Sequence, residues 1–425
     1  MSHWLGPRLQ PPTGATPLPR DLALEGARGV CAGLVLFAHL FLWIPYLDPV
    51  WAPSPRLSWI SLGLPAVLFF FVLSGYVIGL VTTGPATGAA IRNYLRHRAG
   101  RLIPLNTLAV GLSALLLVHP VWKAVMGNLV FLQNNEPYPV LGVFPLLDNN
   151  PNLWSLNYEV VFYLGFILVW LFPVRAGALL AGLFLLIVAH ALGLPISRMV
   201  ARYACGAFFW LAGLMVAWRT SPAERSGQQS NWPSAALFAY VLWVFAPLRT
   251  VCVHWYWVNW AWPGPIPVSP HRLDFIPACT WLLLVVTGRA PQAQRWFGRI
   301  CVTLAVLGLA GRIWSGDWRE VDTVATLVLV IAVALLQRSF SLRPLERLAP
   351  LGAVSFGLYI IATPLQLAQR AILPEFSGTP LTFTVRLIAL LMVTTATVWL
   401  LERKIAPPLA RLIRGRKPAR SAADK

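Results

Sequence analysis

Acidic residues are scarce in this chain: 15 Asp+Glu stand against 34 Lys+Arg, and charged residues of all kinds fill only 12% of its 425 positions. So low a charge content, beside 57% hydrophobic residues and a mean hydropathy of +0.65, excludes an ordinary soluble or disordered protein. Cysteine is equally sparse. The five present, Cys31, Cys205, Cys252, Cys279 and Cys301, are odd in number and scattered, mostly within apolar runs, which excludes a disulfide framework. No close set of His, Cys, Asp and Glu has ligand spacing, so neither a metal site nor a bound cofactor is expected. The chain also lacks low-complexity segments and a convincing internal repeat. Its first twenty residues are proline-rich without an apolar core, so no cleavable signal is expected and the first helix serves as its own insertion signal.

What the chain has is apolar runs of membrane-spanning length, about 20 residues each. They fall near 29–47, 61–82, 103–119, 153–172, 176–192, 200–217, 235–257, 273–288, 300–314, 321–336, 351–370 and 381–401. The expected fold is all-α, a polytopic transmembrane helical bundle of about 10–12 spans embedded in the lipid bilayer. The runs 176–192 and 300–314 are short enough to be reentrant instead. Placing the N-terminus in the cytoplasm puts most of the 34 Lys+Arg there, including Arg92, Arg96, Arg98, Arg101 and the C-terminal basic residues, so both termini are expected to be cytoplasmic. The formal charge of +19 is thereby a topology signal and not a nucleic-acid footprint. Thr250 to Val268, rich in Trp, Tyr and Pro, reads as an interfacial segment outside the membrane.

Ionisable residues inside such runs are costly and point to chemistry. His39 lies within the first run, eleven positions after Arg28. Eleven helical steps come to three turns plus about 20°, so the two share a face roughly 16 Å apart along the axis. A histidine hydrogen-bonded to a neighbouring helix is the plainer reading. In the second run, Phe69 to Tyr76 contains Ser74-Gly75, which lets another helix backbone approach closely. Arg96, Arg98 and Arg101 precede the third run. Arg98 and Arg101, three apart, face one way on a helix and suit a phosphate clamp, although arginine in a cytoplasmic segment also serves topology alone. Trp154-Ser155-Leu156-Asn157-Tyr158-Glu159 enters the fourth run from outside. There Glu159 differs from His39 in depth by only about 6 Å, so carboxylate and imidazole can meet near the midplane; a helix-start or snorkelling carboxylate is the alternative.

Together these residues resemble the acyltransferase-3 family of bacterial membrane acyltransferases. Leu24-Glu25-Gly26-Ala27-Arg28-Gly29 is similar to the family's L-D/E-G-L-R-G opening, and the spacing to His39 is similar to its Arg-x(10)-His. Phe70 to Tyr76 resembles FFVLSGF, Arg98 to Pro104 resembles R-x-x-R-I/L-x-P, and Trp154 to Glu159 resembles WSLSxE. Leu351 to Tyr359 is similar to LGxxSYxLY. Two departures stand out. Val160 and Val161 replace the family's frequent Glu and Gln, and Ala362 stands where a histidine is common, which implies a different acceptor or an atypical pocket. The expected organisation is a cytoplasmic tail over 1–20, an acyltransferase-3-like membrane domain over 21–405, and a basic cytoplasmic tail over 406–425 without the fused hydrolase-like domain of some relatives.

The resemblance implies a multi-pass bacterial inner-membrane O-acyltransferase. Its donor would be acyl-CoA, most often acetyl-CoA, reached from the cytoplasm, and its acceptor a hydroxyl of a surface glycan or related glycosylated molecule. His39, Glu159 and Arg28 would be catalytic. Arg98, Arg101 and Arg96 would hold the donor phosphates, with Glu25, Ser74, Gly75, Trp154 and Ser155 as motif residues. A transporter or flippase of an envelope precursor, or a non-catalytic family member, is the competing reading. Oligomeric state and acceptor identity are not legible in the sequence.

Overall fold

A computed structural model of the protein describes residues 9–11, 21–42, 47–117, 119–134, 144–220, 229–254 and 269–414. The aromatic stretch from residue 255 to 268 and the basic tail from 415 onward lie outside the described residues. In chain order the helices begin with α1 (Leu22–Phe41), α2 (Gly63–Val81), α3 (Gly88–Leu115), α4 (Trp122–Leu129), α5 (Trp154–Leu171) and α6 (Ala176–Ala191). There follow α7 (Arg198–Arg219), α8 (Trp232–Phe245), α9 (Pro247–His254), α10 (Ile276–Thr287), α11 (Pro291–Ser315) and α12 (Glu320–Ala334). The last are α13 (Arg343–Arg347), α14 (Ala349–Ala353), α15 (Ser355–Ile372), α16 (Pro380–Leu400) and α17 (Ala406–Arg414). Strand is confined to two pairs of two residues each, Gln133–Asn134 parallel to Phe144–Pro145 and Gln229–Ser230 antiparallel to Phe340–Ser341. The protein is an all-α polytopic helical protein, as expected.

Among the described residues, six helical stretches are long and apolar enough to cross a membrane: Leu22–Phe41, Pro55–Val81, Pro151–Leu171, Arg198–Arg219, Pro291–Ser315 and Pro380–Arg414. Ala176–Ala191 is apolar but shorter. Several expected spans are broken, for local reasons. The run 235–257 divides at Ala246, a left-handed residue with φ 42° that precedes Pro247. Proline disfavours the helical conformation in the residue before it and cannot donate to the preceding turn. Ala290, φ 46°, precedes Pro291 in the same way at the start of α11. The run 273–288 opens with a 3₁₀ turn, Pro270–Phe275, leaving twelve residues in α10. Conversely, α3 starts well before its apolar half, so Arg92 to Arg101 lie on α3 itself and not in a loop leading to it.

The chain forms two compact units. The first contains residues 1–42, 54–84 and 158–355; the second contains 43–53, 85–157 and 356–425. In the first unit α2 and α7 pack backbone to backbone. A Cβ on Gly75 would overlap the carbonyl oxygen of Trp210, and one on Gly213 would overlap that of Val72. Small residues replace the missing hydrophobic drive between membrane helices by letting their backbones meet. Beside this contact, Phe71, Tyr158, Phe162 and Trp210 form a buried aromatic cluster, with Phe71 edge-on to Phe162 at 5.2 Å between ring centres. Cys31, Cys205, Cys279 and Cys301 are buried free thiols.

In the second unit, buried carboxamides hold the connector before α5. Gln133 donates to the Leu153 carbonyl at 2.7 Å, Asn157 to that of Phe131 at 2.6 Å, and Asn106 to that of Asn128 at 2.9 Å. Arg386, buried within α16, donates to the carbonyls of Leu373, Phe376 and Leu47. The first two follow α15, so a guanidinium satisfies carbonyls left over at a helix end. Residues 406–414, expected to begin a tail, form α17 and pack against α3.

Candidate functional site

One set of candidate residues stands on α1. Asp21 caps it by accepting the Leu24 N–H at 3.1 Å. One turn further, Glu25 and Arg28 form an ion pair of 3.0 Å, each side chain less than a fifth exposed. Arg28 is engaged with the acidic residue of its own motif. His39 sits near the other end of the same helix and is buried, 6% exposed. Both residues stand on one continuous helix, as their spacing requires.

What fixes this helix is a second motif. A Cβ on Gly26 would overlap the Leu345 carbonyl, and a Cβ on Gly352 would overlap the Glu25 carbonyl. The Leu24–Gly29 opening and the Leu351–Gly352 segment, more than 300 positions apart in sequence, are thus packed backbone against backbone through α13 and α14. Ser355 closes the segment by donating its hydroxyl to the Gly352 carbonyl at 2.8 Å.

Ser74 is half-buried on α2, beside the Gly75 contact with α7. Glu159, half-buried on α5, accepts a hydrogen bond from the Tyr163 hydroxyl one turn on. Tyr158, the residue before Glu159, is stacked on Phe71 with 5.7 Å between ring centres.

A separate set of candidate residues lies in the other unit. Arg96, Arg98 and Arg101 project from the N-terminal part of α3, with the Arg98 guanidinium 5.5 Å from the centre of the Tyr94 ring. Pro104 lies inside this helix and has no N–H for the Gly100 carbonyl. Trp154 opens α5 after a 3₁₀ turn, and the buried Ser155 hydroxyl donates to the Asn152 carbonyl at 3.3 Å. The carboxamides just before them are also engaged. Asn150 donates its amide to the Ile360 carbonyl at 2.9 Å and to the Ser113 hydroxyl at 3.0 Å. Asn152 donates to the Tyr359 carbonyl at 2.9 Å and to the Thr363 hydroxyl at 2.8 Å. The density of carboxamides in Asn149-Asn150-Pro151-Asn152 was the available signal, together with a proline, Pro364, inside a helical run.

Asp48 organises another part of this unit. Its carboxylate accepts the N–H groups of Val50 at 2.9 Å, Trp51 at 2.8 Å and Gly378 at 3.2 Å, and the Thr382 hydroxyl at 3.2 Å. Burial pushes its pKa up, but these four donors outweigh burial and hold it below the ordinary carboxylate value.

A family model described as an acyltransferase domain, the acyltransferase-3 model, matches residues 21–308, more than half of the chain. Nodulation protein 10 of Rhizobium leguminosarum bv. viciae is 26% identical over 168 residues, 34% of this chain and 44% of that relative. The match thus spans less than half of the curated relative's length. No solved structure matches. The family match takes in the Glu25–Arg28 pair, His39, the Ser74-Gly75 helix contact, the α3 arginines and Glu159, and the chain belongs to the acyltransferase-3 family.

Proposed function

We propose that this protein is a bacterial inner-membrane O-acyltransferase that moves an acyl group, most simply acetyl, from cytoplasmic acyl-CoA to a hydroxyl of a surface glycan or related glycosylated acceptor. The observation that carries this reading is the buried imidazole of His39 on the same helix as the Glu25–Arg28 pair, within the family-matched region. An imidazole suits the step because it can take and return a proton at working pH. His39 removes the proton of the acceptor hydroxyl as its oxygen attacks the thioester carbonyl. The C–S bond then breaks, and the departing CoA thiolate recovers that proton from the imidazolium. Glu159 orients the imidazole, and Arg96, Arg98 and Arg101 hold the donor phosphates through charge-assisted hydrogen bonds.

The test is mass spectrometry of envelope glycans from a deletion strain, the complemented strain and one complemented with His39→Ala. An acyl mass increment that disappears on deletion and returns only with the intact histidine supports the reading. Undiminished acylation with His39→Ala at normal protein level overturns the role of His39, and transport of a precursor without any covalent product would favour a flippase.

A further inference from the structure

α17 is held against another helix. It packs on α3, and Gly100 marks the contact: a Cβ there would stand 2.8 Å from Nε and 2.9 Å from Cγ of Arg414, and 3.2 Å from the Ala410 carbonyl oxygen. At about 100° per residue, Gly100 lies roughly 40° around α3 from Arg96 and 100° from Arg101. The stem of Arg414 therefore crosses the helix between the bearings of two arginines already assigned to the donor. Ala410 is buried against α3, while Leu412 on the same short helix is exposed.

Topology alone does not ask for this arrangement. Positive-inside charge needs arginines only in the cytoplasm, where a solvated side chain extends away from its neighbours. Here Arg414 is instead laid against a helix end that already carries Arg92, Arg96, Arg98 and Arg101. Like charges brought together repel, and an anion among them turns that repulsion into attraction. Guanidinium groups are suited to that anion being a phosphate, which they hold by paired N–H donors.

We propose that Arg414 is a donor-binding residue: α17 supplies a further guanidinium to a phosphate clamp formed with Arg96 and Arg101, which takes the phosphorylated nucleotide end of acyl-CoA. This rests on the donor site proposed above. The experiment uses the full chain purified in neutral detergent, with adenosine 3′,5′-bisphosphate as the probe and binding measured by calorimetry. Arg414→Gln is expected to weaken binding about tenfold, with Arg414→Lys restoring part of it and Arg96→Gln/Arg101→Gln losing it. Gly100→Ala, which leaves every charge in place and crowds the Arg414 stem, is expected to weaken binding as well. Unchanged binding in both Arg414→Gln and Gly100→Ala, with loss in the double arginine variant, overturns the role of Arg414 and leaves the donor site standing. Unchanged binding in the double arginine variant overturns the donor reading itself. A phosphatidylglycerol arm separates the two sources of phosphate. If Arg414→Gln abolishes stabilisation by that lipid and leaves nucleotide binding intact, the occupant is a headgroup and the proposal fails.

Discussion

Asn150 donates its side-chain amide to the carbonyl oxygen of Ile360, the oxygen that Pro364 leaves without a helical partner because proline has no N–H. An acceptor freed by a proline inside α15 is thus satisfied by a residue 210 positions earlier. Buried carbonyls require such a partner, and the proline is tolerated because the segment leading into Trp154 provides one. The bond anchors that segment to α15 and makes a strong prediction about coupling. Asn150→Ala should cost about 1–3 kcal/mol of stability in the parent and clearly less in a Pro364→Ala background, where residue 364 regains an N–H for Ile360. Thermal unfolding of the four proteins in detergent decides it; equal losses in both backgrounds would refute the coupling.

The α2–α7 contact leaves no room for a methyl group. Gly75→Ala should therefore destabilise by about 1–3 kcal/mol through overpacking against Trp210. Gly33→Ala serves as the contrast, since a Cβ at Gly33 meets nothing within 4 Å, and its effect should be neutral or slightly stabilising. Melting curves and folded yield of the two variants provide the comparison.

Arg312 forms ion pairs with Asp317 at 3.0 Å and Asp322 at 3.6 Å, but the two partners differ in setting. The Asp322 side chain is 0% exposed and that of Asp317 69% exposed. Asp322 also accepts the Arg319 backbone N–H at 2.8 Å. Removing the buried carboxylate by Asp322→Asn leaves the buried Arg312 guanidinium with Asp317, exposed to water, as its remaining acidic partner, and should cost about 3 kcal/mol. Asp317→Asn should cost under about 1 kcal/mol, because water screens the exposed partner. Similar losses from the two variants in denaturant titrations would contradict the burial argument.

The Glu25–Arg28 pair separates stability from chemistry. Being one turn apart and partly exposed, it is worth at most about 1 kcal/mol, so Arg28→Gln should barely move the melting temperature. Acyl transfer, in contrast, should fall at least about tenfold if Arg28 acts in catalysis. Full activity with a normal melting temperature would reduce Arg28 to a helix-face ion pair.

Asp48 makes stability depend on acidity. Its pKa is depressed in the folded protein, so its contribution is complete above the unfolded carboxylate value near ~3.9 and is lost as pH falls through the folded value. The stability difference between the parent and Asp48→Asn should therefore shrink as pH is lowered through that range. A difference that is flat or grows towards acid pH would show that the four donors do not favour the charged form.

The residues themselves determine what depends on short spacing. Hydropathy alone makes this a helical membrane protein, because nothing else tolerates so few charges in so many apolar runs. The eleven-residue step from Arg28 to His39 puts both on one helix, and Ser74-Gly75 announces a close helix contact; α1 and the α2–α7 pair bear this out. Even one broken span was marked, since Ala246, within the expected run 235–257, precedes a proline. Tertiary structure decided what joins distant positions. No spacing rule connects Gly26 to Leu345, Asn150 to Ile360 or Gly100 to Arg414, and the chain before α1's partners are folded gives no hint which carbonyl a carboxamide will satisfy. These pairings arise because a buried acceptor must find a donor and a backbone without a Cβ can be approached, and only the packed fold says by whom.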